Sequence, residues 1–255
     1  MIKYFAVILT MLCCLTTTTA KALEVSFTAS DGHSLVATLD RPDKGTDIHT
    51  GVILLPMYRH TGESWQPLVQ QLTAAGFTCL SLDLRGHGQS RFGADGSDDE
   101  KRVIARDPDF FNTMYLDVVA ADIWLRNREP QLNKLVLVGA SVGCSVAVHA
   151  VTGSSVKADA VVLMTPGENF LGIPTMDHIK TWPGIPLLIL SSEEEQGRGA
   201  AAIYKKLQNN GAEFKLFPQT DIHGTNMFGK VDEVEKFISQ WITSQMLIKA
   251  KDQGN

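Results

Sequence analysis

One serine lies in a sequence pattern that suits nucleophilic attack on a carbonyl group. Residues 139–143 read Gly-Ala-Ser-Val-Gly, a short apolar run precedes them, and a helix-like segment, 142–151, follows. A sharp turn from a strand into a helix lifts a serine hydroxyl clear of the backbone, and flanking small residues allow a turn that tight. Free N–H groups at the start of the helix also favour negative charge nearby. The pattern predicts that Ser141 is a nucleophile; the alternative is an ordinary strand–helix connection.

A serine hydroxyl is a weak nucleophile until a base takes its proton. Of the seven histidines in the chain, His223 follows the last predicted strand and precedes the closing helix. The carboxyl ends of parallel strands border the ligand crevice in sheets of this kind, so His223 is the predicted base. Four other histidines lie in a predicted hairpin, in loops or in the helix after the serine: His33, His49, His149 and His178.

A carboxylate must orient the base, and it should follow the preceding predicted strand, 186–190. Three consecutive glutamates, 193–195, lie there, and any of them could reach the histidine. Glu195 is the first choice because it lies furthest round the turn, and Glu193 is the second. Asp221 is only two residues from the predicted base and is a poor orienter of that ring.

An oxyanion that develops on the substrate needs backbone N–H donors. The residue after the nucleophile, Val142, should supply one. The second should come from the loop after the predicted strand 51–55, which reads Pro-Met-Tyr-Arg-His. Proline has no N–H, so Met57 or Tyr58 must be the donor.

Strands and helices alternate from residue 23 onward, which predicts a mainly parallel sheet with helices on both faces. Two strands around the turn 30–33 should form an antiparallel edge, giving eight strands in a single domain, 23–255. The predicted strands are 23–29, 34–41, 51–55, 77–84, 135–140, 158–164, 186–190 and 212–217, and the predicted helices are 64–75, 112–128, 142–151, 200–209 and 231–248. In the helix 112–128, Met114, Val118, Ile123 and Leu125 should form the buried face.

The composition is that of an ordinary globular protein. Of its 255 residues, 44% are hydrophobic and 20% are charged, and the net charge of −5 is spread along the chain. Without a basic patch, no nucleic-acid partner is expected. The sequence lacks H-E-x-x-H, C-x-x-C and G-x-G-x-x-G patterns, and the acidic run 95–100 lacks the order of a calcium loop, so no metal or cofactor is expected.

The N-terminal segment resembles a secretory signal peptide. Lys3 is followed by the apolar run 4–15, and an A-x-A pattern ends at Ala22. This predicts cleavage after Ala22 and export to the periplasm or the medium. About 12 apolar residues are too few to cross a bilayer, which takes about 20, so no membrane span should remain. A lipid anchor on Cys13 or Cys14 is disfavoured by bulky residues before each cysteine.

The features together resemble the α/β-hydrolase fold serine hydrolases, of the esterase and lipase type, over nearly the whole chain after residue 22. Residues 83–90 read Asp-Leu-Arg-Gly-His-Gly-Gln-Ser, which is similar to the D-x-R-G-x-G-x-S turn after the fourth strand in many of these enzymes. That turn is usually structural, so no catalytic role is expected for His87.

The chain departs from the family pattern at three points. The oxyanion loop often begins with His-Gly, where this chain has Pro56 and Met57, so the resemblance favours the next residue, Tyr58, as second donor. The triad acid is most often Asp in the family and is Glu here. A cap domain usually enters after the sixth strand, where this chain has only about 20 residues, 165–184, so no full cap is expected.

The sequence predicts an exported hydrolase that cleaves a carboxylic ester or related acyl bond of a small molecule through a Ser-His-Glu triad and an acyl-enzyme. A peptidase or thioesterase with the same triad is an alternative, and so is a non-catalytic binding protein of the same fold. Phe170, Leu171 and Trp182 are candidates to line the pocket, although packing of their loop onto the sheet explains them equally well. The natural substrate, the oligomeric state and a lid function for the loops 91–111 and 165–184 stay open.

Overall fold

The computed structural model describes residues 22–43, 45–153, 156–218 and 222–252. The predicted signal peptide, apart from Ala22, lies outside the described residues. The strands are β1 Leu23–Thr28, β2 Ser34–Asp40, β3 Thr50–Leu55, β4 Thr78–Leu82, β5 Lys134–Ala140, β6 Ala160–Met164, β7 Leu187–Ser192 and β8 Ala212–Phe217. The helices are α1 Gln66–Ala74, α2 Glu100–Ile104, α3 Pro108–Asn112, α4 Tyr115–Arg128, α5 Val142–Thr152, α6 Thr175–His178, α7 Ala200–Leu207 and α8 Val234–Asp252.

The eight strands form one sheet in the order β1-β2-β4-β3-β5-β6-β7-β8. β2 pairs antiparallel with both β1 and β4, and all other neighbours are parallel. Every residue of β3, β4, β6 and β7 is buried, as expected for strands covered on both faces. The prediction of an eight-stranded, mostly parallel sheet is confirmed.

Separate apolar clusters cover the two faces of the sheet. Along β5, Leu135 and Leu137 belong to one cluster and Val136 and Val138 to the other, because successive side chains of a strand point to opposite faces. Helices α4, α5 and α7 pack on the first face, and α1 and α8 pack on the second. Cys79 and Cys144 are free, buried thiols whose pKa values burial raises well above the usual range.

One predicted helix differs from the structure. The segment 112–128 is divided between the end of α3 and the whole of α4, and Ile123 is 57% exposed, so its predicted burial is wrong. The buried face contains Val118, Ala121 and Leu125, at the i, i+3 and i+7 spacing of one helical stripe. Ile123 lies five residues after Val118 and therefore about 140° round the helix from it.

The connection from β5 to α5 consists of a single residue, Ser141, with φ 53° and ψ −119°. Two glycines allow this turn. A Cβ atom on Gly139 would lie 2.4 Å from the carbonyl oxygen of Gly143, and one on Gly143 would lie 2.2 Å from the carbonyl oxygen of Leu55. A side chain at either of these two positions would clash with the backbone. The strand, the turn and the helix can therefore approach this closely only because both residues are glycine.

Three aromatic rings lie in contact between α4, α5 and α6: the rings of His149 and His178 are stacked, and that of Tyr115 is tilted against His149. The ring centroid of His149 lies 4.2 Å from that of Tyr115 and 4.0 Å from that of His178. Burial, and to a smaller extent the His178 imidazole, lower the pKa of His149 from 6.5 to about 4. Burial also lowers the pKa of His178, against the opposing effect of Asp177. Both rings are therefore neutral in the folded protein at neutral pH.

Within the described residues, none of the helices combines the length and the hydropathy that crossing a bilayer requires.

Replacing Gly143 with Ala should lower the free energy of unfolding by at least about 2 kcal/mol, because the added methyl group meets a backbone carbonyl that must move. Urea denaturation followed by tryptophan fluorescence measures the change. Gly197→Ala is the control, since a Cβ atom there meets nothing within 4 Å, and it should change stability by less than about 0.5 kcal/mol. Equal midpoints for the two variants would contradict the close contact at the turn.

Stability should fall as the pH falls from about 6.5 to about 4, because in this range the unfolded chain protonates His149 while the folded ring stays neutral. His149→Phe keeps a ring but cannot titrate, so its urea midpoint should fall less than that of the wild type between about pH 7 and about pH 5. The control is His49→Asn, at a side chain that is 52% exposed. If all three proteins lose the same stability, the stacked ring does not set the pH dependence.

Candidate active site

The predicted nucleophile lies at the carboxyl end of β5, near the middle of the sheet. Ser141 is 6% exposed, and its backbone N–H donates to the carbonyl oxygen of Met164, the last residue of β6, at 2.9 Å. The positive φ of Ser141 is unusual for a residue other than glycine, and strained residues of this kind cluster at functional sites. The carboxyl ends of β6, β7 and β8 lie along the same edge of the sheet.

The predicted base and its first-choice acid are in direct contact. Nδ1 of His223 lies 2.9 Å from Oε2 of Glu195. Because an ionised carboxylate only accepts hydrogen bonds, Nδ1 carries the proton and donates it to this contact. The lone pair of the neutral ring is then on Nε2, the arrangement that a general base requires.

The carboxylate of Glu195 has a second partner that the sequence reasoning missed. Its side chain is 9% exposed, and Oε1 lies 3.1 Å from the guanidinium of Arg198, which is 67% exposed. A buried carboxylate is costly unless it is paired, and His223 contacts one oxygen while the charge of Arg198 lies beside the other. The three-residue spacing of Glu195 and Arg198 was the available signal, but it becomes informative only once the chain is known to turn there.

The other acidic candidates lie elsewhere. Glu193 is exposed, and its backbone N–H donates to the carbonyl oxygen of Phe217. The structure thus brings Glu195, and not Glu193, to the histidine. Asp221 lies outside the described residues.

The loop of His223 packs against the strand that leads to Ser141. Gly224, directly after the histidine, has φ 54°, and a Cβ atom there would lie 3.4 Å from the Cβ atom of Ala140 and 2.7 Å from the sulfur of Met57. The histidine loop, the strand before the nucleophile and the loop after β3 therefore meet at one point.

The two predicted oxyanion segments are neighbours in the structure. Val142 is the first residue of α5, so its N–H has no carbonyl partner within the helix. A Cβ atom on Gly143 would lie 2.8 Å from the carbonyl oxygen of Pro56, which brings the loop after β3 against the start of α5. In that loop the hydroxyl of Tyr58 donates to the carbonyl oxygen of Val103 at 3.2 Å, and Met57 is buried. Both Met57 and Tyr58 thus stay candidates for the second donor.

The turn 83–90 has the contacts of a structural element. The carboxylate of Asp83 accepts from the backbone N–H groups of Gly62 and Gln89, at 2.8 and 2.9 Å. The ring of His87 is 5% exposed and donates from Nδ1 to the carbonyl oxygen of Arg85, and burial lowers its pKa. These contacts fix the shape of the turn and occupy Nδ1 of His87 within it.

The three candidate pocket residues divide into two groups. The ring centroid of Phe170 lies 6.0 Å from that of His223, with the ring planes nearly perpendicular. Leu171 packs against the apolar core, and Trp182 is 9% exposed and donates from Nε1 to the carbonyl oxygen of Ile185. Of the three, Phe170 is the residue beside the candidate base.

A pocket of about 220 Å³ opens next to the loop after β3. It is lined by Arg59, Gly86, His87, Gly88, Arg91, Glu100, Val103 and Ile104. Among the residues that the structure describes, no group of three or more His, Cys, Asp or Glu side chains could hold a metal ion.

Comparison with known proteins agrees with this architecture. A model of the alpha/beta hydrolase family matches residues 52–240. No curated protein matches the sequence. The structure is similar to that of an esterase from Pyrococcus furiosus, with 17% identity, a TM-score of 0.66 and coverage of 88% of this chain and 90% of that one.

Two further solved structures share the fold. The first is a thermostable carboxyl esterase from Bacillus coagulans, with 13% identity, a TM-score of 0.70 and coverage of 88% of this chain and 99% of that one. The second is an α/β serine hydrolase without a lid from Xanthomonas campestris, with 16% identity, a TM-score of 0.60 and coverage of 88% and 93%. Identities this low show likeness of fold alone, whereas the family model covers most of the sequence. The chain belongs to the alpha/beta hydrolase family.

Proposed function

We propose that this protein is a serine hydrolase that cleaves a carboxylic ester or a related acyl bond of a small molecule. The observation that carries the proposal is the 2.9 Å contact between Nδ1 of His223 and Oε2 of Glu195, beside the strained turn at Ser141. A base held by a buried carboxylate next to a serine on such a turn is the arrangement of an activated nucleophile.

In the proposed reaction Oγ of Ser141 attacks the carbonyl carbon, and its proton passes to Nε2 of His223. Glu195 stabilises the imidazolium that forms. The N–H groups of Val142 and of Tyr58 or Met57 bind the oxyanion. The tetrahedral intermediate then expels the alcohol, which takes the proton from the imidazolium. A water molecule, deprotonated by the same ring, attacks the acyl-enzyme. The second tetrahedral intermediate then expels Oγ of Ser141, which takes the proton from the imidazolium, and the acid is released.

The likeness to two esterases and to a serine hydrolase without a lid supports an ester as the substrate. The short loop after β6 also supports an open site, since residues 165–184 contain one short α-helix, α6, and a single turn of 3-10 helix in place of a cap domain. A thioesterase or a peptidase would use the same groups. An esterase of this kind should hydrolyse short p-nitrophenyl esters faster than thioesters or aminoacyl amides of matched acyl length.

A non-catalytic binding protein is the alternative from a different class. The backbone strain at Ser141 weighs against it. A positive φ in a residue other than glycine costs about 1–3 kcal/mol, and strained residues of this kind cluster at active sites.

We also propose that the protein is exported, on the basis of the basic start, the apolar run 4–15 and the A-x-A pattern that ends at Ala22. N-terminal sequencing of the full-length chain after expression in a bacterial host should give Leu23 as the first residue. A chain that keeps its N-terminus in the cytoplasm would contradict export and would leave the proposed chemistry unaffected.

A fluorophosphonate probe should label the folded protein at Ser141, because the activated hydroxyl attacks phosphorus as it attacks a carbonyl carbon. Peptide mass mapping identifies the labelled residue. Ser141→Ala should abolish labelling. Ser145→Ala should keep it, since Ser145 lies about one turn further along, in α5, and its buried hydroxyl is bonded to Thr175 of α6. An unlabelled wild-type protein would end the serine hydrolase proposal.

Glu195→Gln should lower kcat/KM for p-nitrophenyl acetate by about 10³–10⁴-fold, because the amide cannot stabilise the imidazolium. Glu193→Gln makes the same change of charge on an exposed side chain, and its rate should stay within about twofold of the wild type. Circular dichroism checks that both variants are folded. If the Glu193 variant loses activity while the Glu195 variant keeps it, the assignment of the acid is wrong.

A further inference from the structure

A threonine with unusual backbone geometry follows β6. Thr165 has φ 52°, and among the described residues it is the only β-branched one at positive φ. Branching at Cβ makes this conformation a genuine outlier, so something in the structure must hold it there. The residue is 2% exposed, and its backbone N–H donates to the carbonyl oxygen of Leu190 on β7 at 2.7 Å.

The hydroxyl of Thr165 bonds the loop of the candidate base. Oγ1 accepts from the backbone N–H of Gly224 at 2.8 Å and donates to the carbonyl oxygen of Met164 at 2.8 Å. Gly224 directly follows His223, and its N–H lies in the interior, where water does not replace a lost partner. This contact joins two residues that are 59 positions apart.

The same carbonyl group also bonds the nucleophile. The oxygen of Met164 accepts from the backbone N–H of Ser141 at 2.9 Å, and the thiol of Cys144 donates to it at 3.3 Å. A continuous path of hydrogen bonds therefore runs from the backbone of Ser141 through Met164 and Thr165 to the backbone of Gly224. It ties the turn that carries the serine to the loop that carries the histidine.

We propose that Thr165 is a positioning residue, whose hydroxyl fixes the backbone beside His223 relative to the turn that carries Ser141. The proposal rests on the proposed function, since it assigns Thr165 a part in the reaction of that same site. Displacement of a catalytic group by about 1 Å can cost about 100-fold in rate, so one buried hydrogen bond at this point has kinetic consequences.

The test compares three substitutions of Thr165. Thr165→Val removes the hydroxyl with little change of shape, Thr165→Ser keeps it, and Thr165→Gly removes it while relieving the backbone strain. We expect kcat for p-nitrophenyl acetate and the rate of fluorophosphonate labelling to fall about 10–100-fold in the Val and Gly variants, with KM changed less than about threefold. The Ser variant should stay within about threefold of the wild type in both measurements.

Thr175→Val is the matched control. Thr175 is fully buried, and its hydroxyl donates to Oγ of Ser145 at 2.7 Å, a bond between α5 and α6 that leaves the histidine loop untouched. It should lower the urea midpoint about as much as Thr165→Val does and should leave labelling and kcat within about twofold of the wild type.

Two outcomes would overturn the inference in distinguishable ways. If the wild type is labelled at Ser141 but Thr165→Val and Thr165→Gly react as fast as Thr175→Val, Thr165 has a structural role only and the proposed function stands. If the wild type is not labelled, the proposed function fails and the role of Thr165 falls with it. If the Val variant does not fold, the Gly variant, in which the backbone strain is relieved, still shows whether loss of the hydroxyl slows labelling and lowers kcat.

Discussion

The close approach of β3, β5 and α5 is the constraint on which the rest of the site depends. The carbonyl oxygen of Leu55 lies where the side chain of any residue but glycine at position 143 would have to be, and Gly139 meets the backbone of the same turn. One residue is left to reverse the chain, and Ser141 therefore takes a left-handed backbone conformation. The strain is about 1–3 kcal/mol, whereas each buried aliphatic side chain of β5 contributes about 1.5–3 kcal/mol. Packing thus holds the turn in its strained form.

The order of the strands explains how distant residues come together. β5, β6, β7 and β8 are parallel neighbours, so their carboxyl ends lie side by side along one edge of the sheet. One polar residue of the candidate site follows each strand: Ser141 after β5, Thr165 after β6, Glu195 after β7 and His223 after β8. The length of the turns and of the side chains decides which of these groups meet. The turn after β7 carries Glu195 three residues past the strand, and the long glutamate side chain spans the gap to the imidazole.

The interactions of charged groups at the carboxyl edge of the sheet depend on the turn after β7. The carboxylate of Glu195 is largely removed from water, so the donors that face it must replace its hydration. His223 hydrogen-bonds one oxygen, and the exposed guanidinium of Arg198 forms an ion pair with the other. The backbone carbonyl of Arg198 also accepts from the N–H of Glu168 at 3.3 Å, which connects the turn to the loop after β6. Contacts with the loop of His223 and with the loop after β6 thus hold the turn that carries Glu195.

The amino-acid sequence by itself determined the sheet, the turn at Ser141 and the strand after which each candidate site residue lies, because apolar periodicity and glycine spacing report local geometry. The tertiary structure decided which glutamate meets the histidine, that Phe170 lies beside it while Trp182 packs away, and that Ile123 faces solvent. No sequence pattern could have shown the partner of Thr165. Side-chain contacts between irregular loops depend on how whole elements pack, and residues tens of positions apart carry no periodic signal of one another.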